Sequence, residues 1–201
     1  MPYCVLEGPL DIGNNNWIGP HVVIGQPATD TKKIQSKGSK IIIGNSNIIR
    51  EFTTIEQPCY CEYTIIGDDV FIMQNSCIGH DVHVHPKAVI TNNSVVAGMV
   101  NVLEGANIAM GTTINQKATV GHYSIVASNC ACMKNVKPFS RFIPNQPISV
   151  NIYAIEKYGF QKYEDEIHEY VLNGTPVKSS LLKKITDQFD DLAKKNNYKT
   201  Y

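Results

Sequence analysis

The sequence carries no excess of charge of either sign: 18 Lys and Arg stand against 18 Asp and Glu in 201 residues. A balanced chain exerts no whole-molecule pull on nucleic acid or on an anionic membrane surface, so an anionic ligand has to be held by a local group of charges. No window has the length and apolarity of a membrane span. The opening Met1-Pro2-Tyr3-Cys4 has neither the basic segment nor the apolar run of a secretory signal. A cytoplasmic protein with no nucleic-acid partner and no transmembrane segment is expected. Zinc-ribbon spacing is missing too: four of the six cysteines fall in the Cys-x-Cys pairs Cys59-Tyr60-Cys61 and Cys130-Ala131-Cys132. All six are expected to be reduced and structural, Cys130 as a small apolar filler.

Between residues 66 and 126 the chain also lacks the 3.6-residue period of a helix and the alternation of an ordinary strand. It has a period of six instead. Every sixth residue from Ile66 to Val126 is Ile or Val, eleven in a row, and the residue four further on in each hexad, from Val70 to Cys130, is small or modest in size. A strict hexad is a repeat architecture. Three hexads make one 18-residue coil, a triangular prism with a short strand on each side. The aliphatic residue points inward, the small one sits near a corner, and each coil buries its interior only by stacking on its neighbours. The expected fold is an all-β parallel β-helix over residues 1–149, followed by a small α-helical extension over residues 150–201.

Hexads begin at Ile12, Ile18 and Ile24 and resume at Ile43, Ile49 and Ile55. Ile24 to Ile43 is 19 residues, one coil plus one. The polar stretch near residues 26–40 is therefore expected to be a loop thrown out of the prism, where binding residues tend to sit. Lys32, Lys33, Lys37 and Lys40 make it basic, which serves solubility or the capture of a diphosphate or phosphopantetheine. Ile55 to Ile66 is 11 residues rather than 12, a short bulge over residues 56–64. Beyond the prism, helices are expected over 151–158, ended by Gly159, over 163–172, ended by Asn173-Gly174, and from Pro176 to about Lys195. They are expected to form a small bundle that covers the last coil.

His80, Gly98 and Gln116 lie 18 residues apart, so they form a column on one face. That column is a candidate site for acyl transfer. A neutral imidazole removes a proton from a sugar hydroxyl or ammonium at neutral pH. A backbone N–H at a glycine stabilises the oxyanion of the tetrahedral intermediate; Gly98 is equally readable as a turn glycine. Asp81 either orients His80 or stabilises a corner.

The hexad prism, Ile78-Gly79-His80-Asp81, the Thr-Asn-Asn-Ser-Val-Val-Ala-Gly of residues 91–98, Ile49-Arg50-Glu51, Val150-Asn151-Ile152 and Tyr158-Gly159-Phe160 together resemble the UDP-N-acetylglucosamine acyltransferase family of lipid A biosynthesis, from about Leu6 to Phe160. The resemblance implies a left-handed parallel β-helix, a homotrimer with active sites in clefts between adjacent subunits, and transfer of an acyl group from acyl carrier protein to a sugar hydroxyl, with no metal and no bound cofactor. It makes His80 the general base, Gly98 the residue whose N–H faces the thioester oxygen, and Gln116 a pocket residue one coil on. It makes Asp30 and Lys32 the acidic and basic pair of the protruding loop, and Asn151 a nucleotide-sugar contact. Cys77, Met99 and Asn115 stand where the family has further histidines. Tyr153, Lys157 and Tyr158 stand where it has a Glu and two Arg, which leaves Lys157 as the candidate cation there. These departures point to another nucleotide-linked sugar as acceptor, acylated at a hydroxyl or an amino group in lipid A or surface-polysaccharide biosynthesis, with acyl carrier protein or a coenzyme A thioester as donor.

Two other readings stand beside this one. A β-helix assembly protein would keep the prism with a vestigial His80. A γ-carbonic-anhydrase-like enzyme would bind zinc through His80 and His85, but its third histidine would fall near residue 44, where the sequence has Ile43-Gly44-Asn45. His83 and His85 are expected to be solvated.

Overall fold

The structure, a computed structural model, describes residues 1–33 and 38–201. Three parallel sheets of seven, six and eight strands form the sides of a left-handed β-helix, except that the last pair, Ser140–Phe142 with Ser149–Val150, is antiparallel. Along each side the register advances by one coil: Ile78 pairs with Val96, Val96 with Ile114. The hexad aliphatics and the small residues after them together fill the interior, and from Ile66 to Val126 every one of the aliphatics is buried. Strands of two to four residues end in corners, and the regular corners turn on one residue with positive φ. From Asp69 to Asn129 that residue recurs every six positions, Gly at 105 and 111 and a non-Gly residue at the other nine. Left-handed backbone is tolerated best by Gly, Asn and Asp, and five of these nine are Asn or Asp. Asp81, at φ 60°, is one of them.

The first hexads depart from expectation. Ile24 is fully buried, whereas Ile12 is exposed and Ile18 half-buried, because their coil is stacked on one side only. The spacing of the first gap is also corrected. Ile24 pairs with Ile55 in the seven-stranded sheet and Ile12 with Ile43 in the six-stranded one, each 31 positions on. The gap from Ile24 to Ile43 is thus one hexad plus an insertion, not one coil plus one. The second gap behaves alike: Ile55 pairs with Ile78 and Ile43 with Ile66, each 23 positions on, so the bulge adds residues to a hexad rather than losing one from a pair. Both insertions leave the prism at the corner between the seven- and six-stranded sheets, in consecutive coils.

Helix α1, Ile152–Tyr158, ends at Gly159 in a left-handed cap. Helix α2, Glu164–His168, runs on through the wider-wound turn Glu169–Asn173 to Gly174. Helix α3, Ser180–Asn196, begins four residues after Pro176, because the Glu166 carboxylate accepts the Lys178 and Ser179 N–H groups and the Ser179 hydroxyl, and holds them extended. These helices meet the last coil: α3 lies against Thr119–Val120, and its Gln188 is 3.1 Å from His122. They pack on the flank of the prism around Tyr123, Phe139, Phe160, Ile167 and Leu182. The last coil is closed by residues 198–201: Tyr201 stacks on Phe142 at 4.0 Å, and Asn135 holds the Tyr198 carbonyl at 2.9 Å. Among the described residues, no helix is long and apolar enough to cross a membrane.

Because interior residues are close-packed on two coils at once, Ile90→Ala should cost about 2–5 kcal/mol. Leu181→Ala, at an exposed position of α3, should change stability by less than about 0.5 kcal/mol. The urea midpoints of the two variants measure the difference, and equal midpoints would contradict the stacked core.

Candidate active site

The two insertions leave the corner at which His80 stands, one and two coils before it. His80 is only 5% exposed, and Nδ1 lies 2.7 Å from Asp81 Oδ2. The second insertion covers the ring. Three consecutive backbone N–H groups of that insertion converge on the Asp81 carboxylate. Cys61 N–H donates at 2.7 Å and Cys59 and Tyr60 N–H each at 3.1 Å. Thr64 Oγ1 accepts the Asp81 N–H at 2.9 Å. Burial works to raise the Asp81 pKa, but the hydrogen bonds from His80 and from the backbone of residues 61, 60 and 59 prevail and hold it below its ordinary value. An ionised carboxylate only accepts. Nδ1 of His80 must then carry a hydrogen, which in the neutral ring leaves the lone pair on Nε2. Asp81 is both a left-handed corner residue and the group that sets the His80 tautomer.

Gly98, one coil on, meets the same ring. A Cβ there would lie 2.4 Å from His80 Nε2 and 2.5 Å from Cε1. Its backbone N–H has no hydrogen-bond partner among the described residues. His80, Gly98 and Gln116 line one cleft of about 360 Å³, together with Cys77 and Val95, so the column read from the 18-residue spacing forms. Asp30 reaches the same cleft from the first insertion. Its Oδ1 accepts the Lys32 and Lys33 N–H groups at 2.7 and 3.0 Å, and Oδ2 accepts the Tyr60 hydroxyl at 2.9 Å. The Lys32 N–H and then the Tyr60 hydroxyl are the chief causes that hold the Asp30 carboxyl below its usual range.

Sequence reasoning missed Glu56, Tyr60 and Cys59. Glu56 lines the cleft and is bonded to His80 and to Thr29. Tyr60 sets its ring 5.8 Å from the His80 imidazole. Cys59 Sγ lies 3.4 Å from His80 Nδ1 and 3.6 Å from Asp81 Oδ2. Burial, then the Asp81 charge, pushes its thiol up to about 12, so it is more than a structural filler but is no nucleophile. Cys59, His80 and Asp81 offer three ligand atoms within 4.8 Å of one another. They are spent on each other, whereas zinc requires a thiolate and an unprotonated imidazole nitrogen. His83 and His85 are half-buried rather than solvated; His83 Nε2 lies 3.3 Å from the Tyr63 carbonyl, and burial lowers the pKa of both.

Other expected residues lie elsewhere. The Lys32 side chain is exposed and does not line the cleft. Lys33 sits over the Tyr60 ring at 5.3 Å, and Lys40 pairs with Asp11 on the six-stranded side, so these lysines form no single basic cluster; Lys37 lies outside the described residues. Asn151 is 9% exposed, donating to the Tyr123 carbonyl at 2.8 Å from its amide. With Lys157 it lines a small recess between α1 and the eight-stranded side, beside Tyr158. Within one chain that recess does not join the His80 cleft.

Residues 63–98 match the bacterial transferase hexapeptide (six repeats) family. The chain is 31% identical over 153 residues to an acyl-[acyl-carrier-protein]–UDP-N-acetylglucosamine O-acyltransferase of Burkholderia orbicola, a match over 74% of this chain and 58% of that protein. A protein of the same description from Verminephrobacter eiseniae is 31% identical over 161 residues, 78% of this chain and 61% of its own length. The chain thus spans about three-fifths of these curated relatives. The UDP-N-acetylglucosamine acyltransferase of Bacteroides fragilis superposes with a TM-score of 0.84 at 24% identity, over 94% of this chain and 81% of that one, which shows a common fold. The chain belongs to the hexapeptide-repeat family. In this hexapeptide-repeat protein the hexads build the scaffold, and the two insertions with the corner column build the cleft.

The packing of the imidazole on Gly98 has a direct test. Gly98→Ala should displace the His80 ring and shift its Nδ1–H resonance, with an unchanged far-ultraviolet circular dichroism spectrum. An unshifted resonance would show that the ring is not seated there.

Proposed function

We propose that this chain is an acyltransferase that moves an acyl group from a thioester, of acyl carrier protein or coenzyme A, to a hydroxyl or amino group of a nucleotide-linked sugar. The observation that carries the reading is the His80–Asp81 pair at 2.7 Å, with Nε2 beside a glycine N–H in a cleft. The names of the relatives support it. Nε2 takes the proton as the acceptor attacks the thioester carbonyl, Asp81 stabilises the imidazolium that forms, and the proton passes to the leaving sulfur. The Gly98 N–H donates to the oxyanion; one such donor is typically worth about 3–4 kcal/mol. Asp30 and Gln116, which line the cleft, contact substrate. Asn151 and Lys157 serve the nucleotide end from the neighbouring copy of a homotrimer. No step asks for a bound cofactor or metal, and the protein works in the cytoplasm.

His80→Asn tests the base. Its amide N–H can still meet Asp81, but nothing replaces Nε2. Acyl transfer, assayed over acyl thioesters and nucleotide-linked hydroxy and amino sugars, should fall by about 100- to 10,000-fold, with the melting temperature nearly kept. Near-normal turnover would remove His80 from the mechanism. A parent protein inactive with the whole panel would favour the assembly role.

A further inference from the structure

We infer that Glu56 is a positioning residue, a strut that fixes the Asp30 loop against the backbone of His80. This rests on the acyl-transfer reading. Glu56 lies at the root of the second insertion and is 8% exposed. Its Oε2 accepts the His80 N–H at 3.1 Å and the Thr29 N–H at 3.1 Å, and its Oε1 accepts the Thr29 hydroxyl. Three donors from two separate parts of the chain thus meet on one carboxylate, which has about four acceptor positions to offer. Thr29 immediately precedes Asp30, so the position of Asp30 in the cleft is set through Glu56 from one side. The Tyr60 hydroxyl sets it from the other.

The corner column shows what Glu56 does for the donors. Among the described residues, the N–H groups of Gly98 and Gln116 have no hydrogen-bond partner. The equivalent N–H of His80 is taken by Glu56. The strut therefore occupies the one corner donor that lies under the imidazole and leaves the Gly98 N–H as the nearest donor open to substrate. Its role follows from where its two oxygens sit rather than from a charge presented to substrate. A glutamine keeps that shape: its oxygen can accept both N–H groups, and its amide can donate to the Thr29 oxygen.

The test compares Glu56→Gln with Glu56→Ala, reading kcat, KM for each substrate, the pH profile of kcat, and hydrogen exchange at the Thr29 and His80 amides. Glu56→Ala should raise the KM of the substrate that touches Asp30 about tenfold or more, the effect of leaving a buried donor unpaired. It should also lose protection at both amides, while the pH profile, which reports His80, keeps its midpoint. Glu56→Gln should restore KM and protection. An alanine variant with parental KM and protected amides overturns the inference. So does a glutamine variant as impaired as alanine, because charge and not geometry would then be at work. If the parent turns over none of the panel, the acyl-transfer reading fails and exchange alone decides: lost protection in alanine, regained in glutamine, supports the strut, and unchanged protection overturns it.

Discussion

Everything in this molecule depends on one constraint: a coil must return to the same corner after three hexads so that its strands can bond to those below. Parallel strands stack about 4.8 Å apart, so any residue repeated at 18 positions becomes a neighbour in space. That rule places Gly98 against His80 and Gln116 beyond it. It also dictates where extra residues can go. An insertion is tolerated at a corner because it leaves the strands on either side in register, as Ile24 with Ile55 and Ile43 with Ile66 demonstrate. Two insertions at the same corner then lie over one another, and a cleft forms between them and the next regular coils.

The chemistry of that cleft comes from backbone geometry as much as from side chains. A left-handed corner brings Asp81 beneath its own neighbour's imidazole. The second insertion then turns three consecutive N–H groups onto the same carboxylate. A buried carboxylate without such donors would rise in pKa and surrender its charge. With them it stays ionised, fixes the proton on His80 Nδ1, and frees Nε2. The insertion that carries the donors also carries Tyr60, which holds Asp30. One short segment therefore controls both the tautomer of the histidine and the place of the acidic residue opposite it.

The scaffold was legible because a period of six is visible residue by residue, and the 18-residue coil placed the His80 column with no further information. The insertions were seen but mismeasured. Counting the gap of 19 as a coil puts Ile24 and Ile43 on one side; they lie on different sides, as the pairing with Ile55 and Ile12 shows. Counted as one hexad plus an excess, the gaps of 19 and 11 both point to the same corner, directly before His80. That count was available in the sequence. Glu56 and Tyr60 would have followed from it, as the residues of the second excess that face the first. The start of α3 was not available, because it is set by Glu166, a residue of α2 that reaches across a turn. Nor was the closing of the last coil by Tyr201, a contact across most of the C-terminal region.

Asn151 and Lys157 make the last point. They are buried or held beside α1 on the eight-stranded side, whereas His80 occupies the corner between the other two sides. A prism of close-packed coils cannot bend to bring these together, so a single chain carries the His80 cleft and the Asn151 recess on different faces. In the proposed threefold ring the two meet, because a closed cyclic arrangement sets one surface of each copy against a different surface of the next. Rigidity then works in favour of function. In that ring each copy would supply half a site at a fixed height along the prism axis, and the 18-residue coil that sets the height of His80 also sets that of Asn107 and Ile125, which line the recess with Lys157. On the proposed function, sugar, thioester and base would come into line only where two copies of the same scaffold are in axial register.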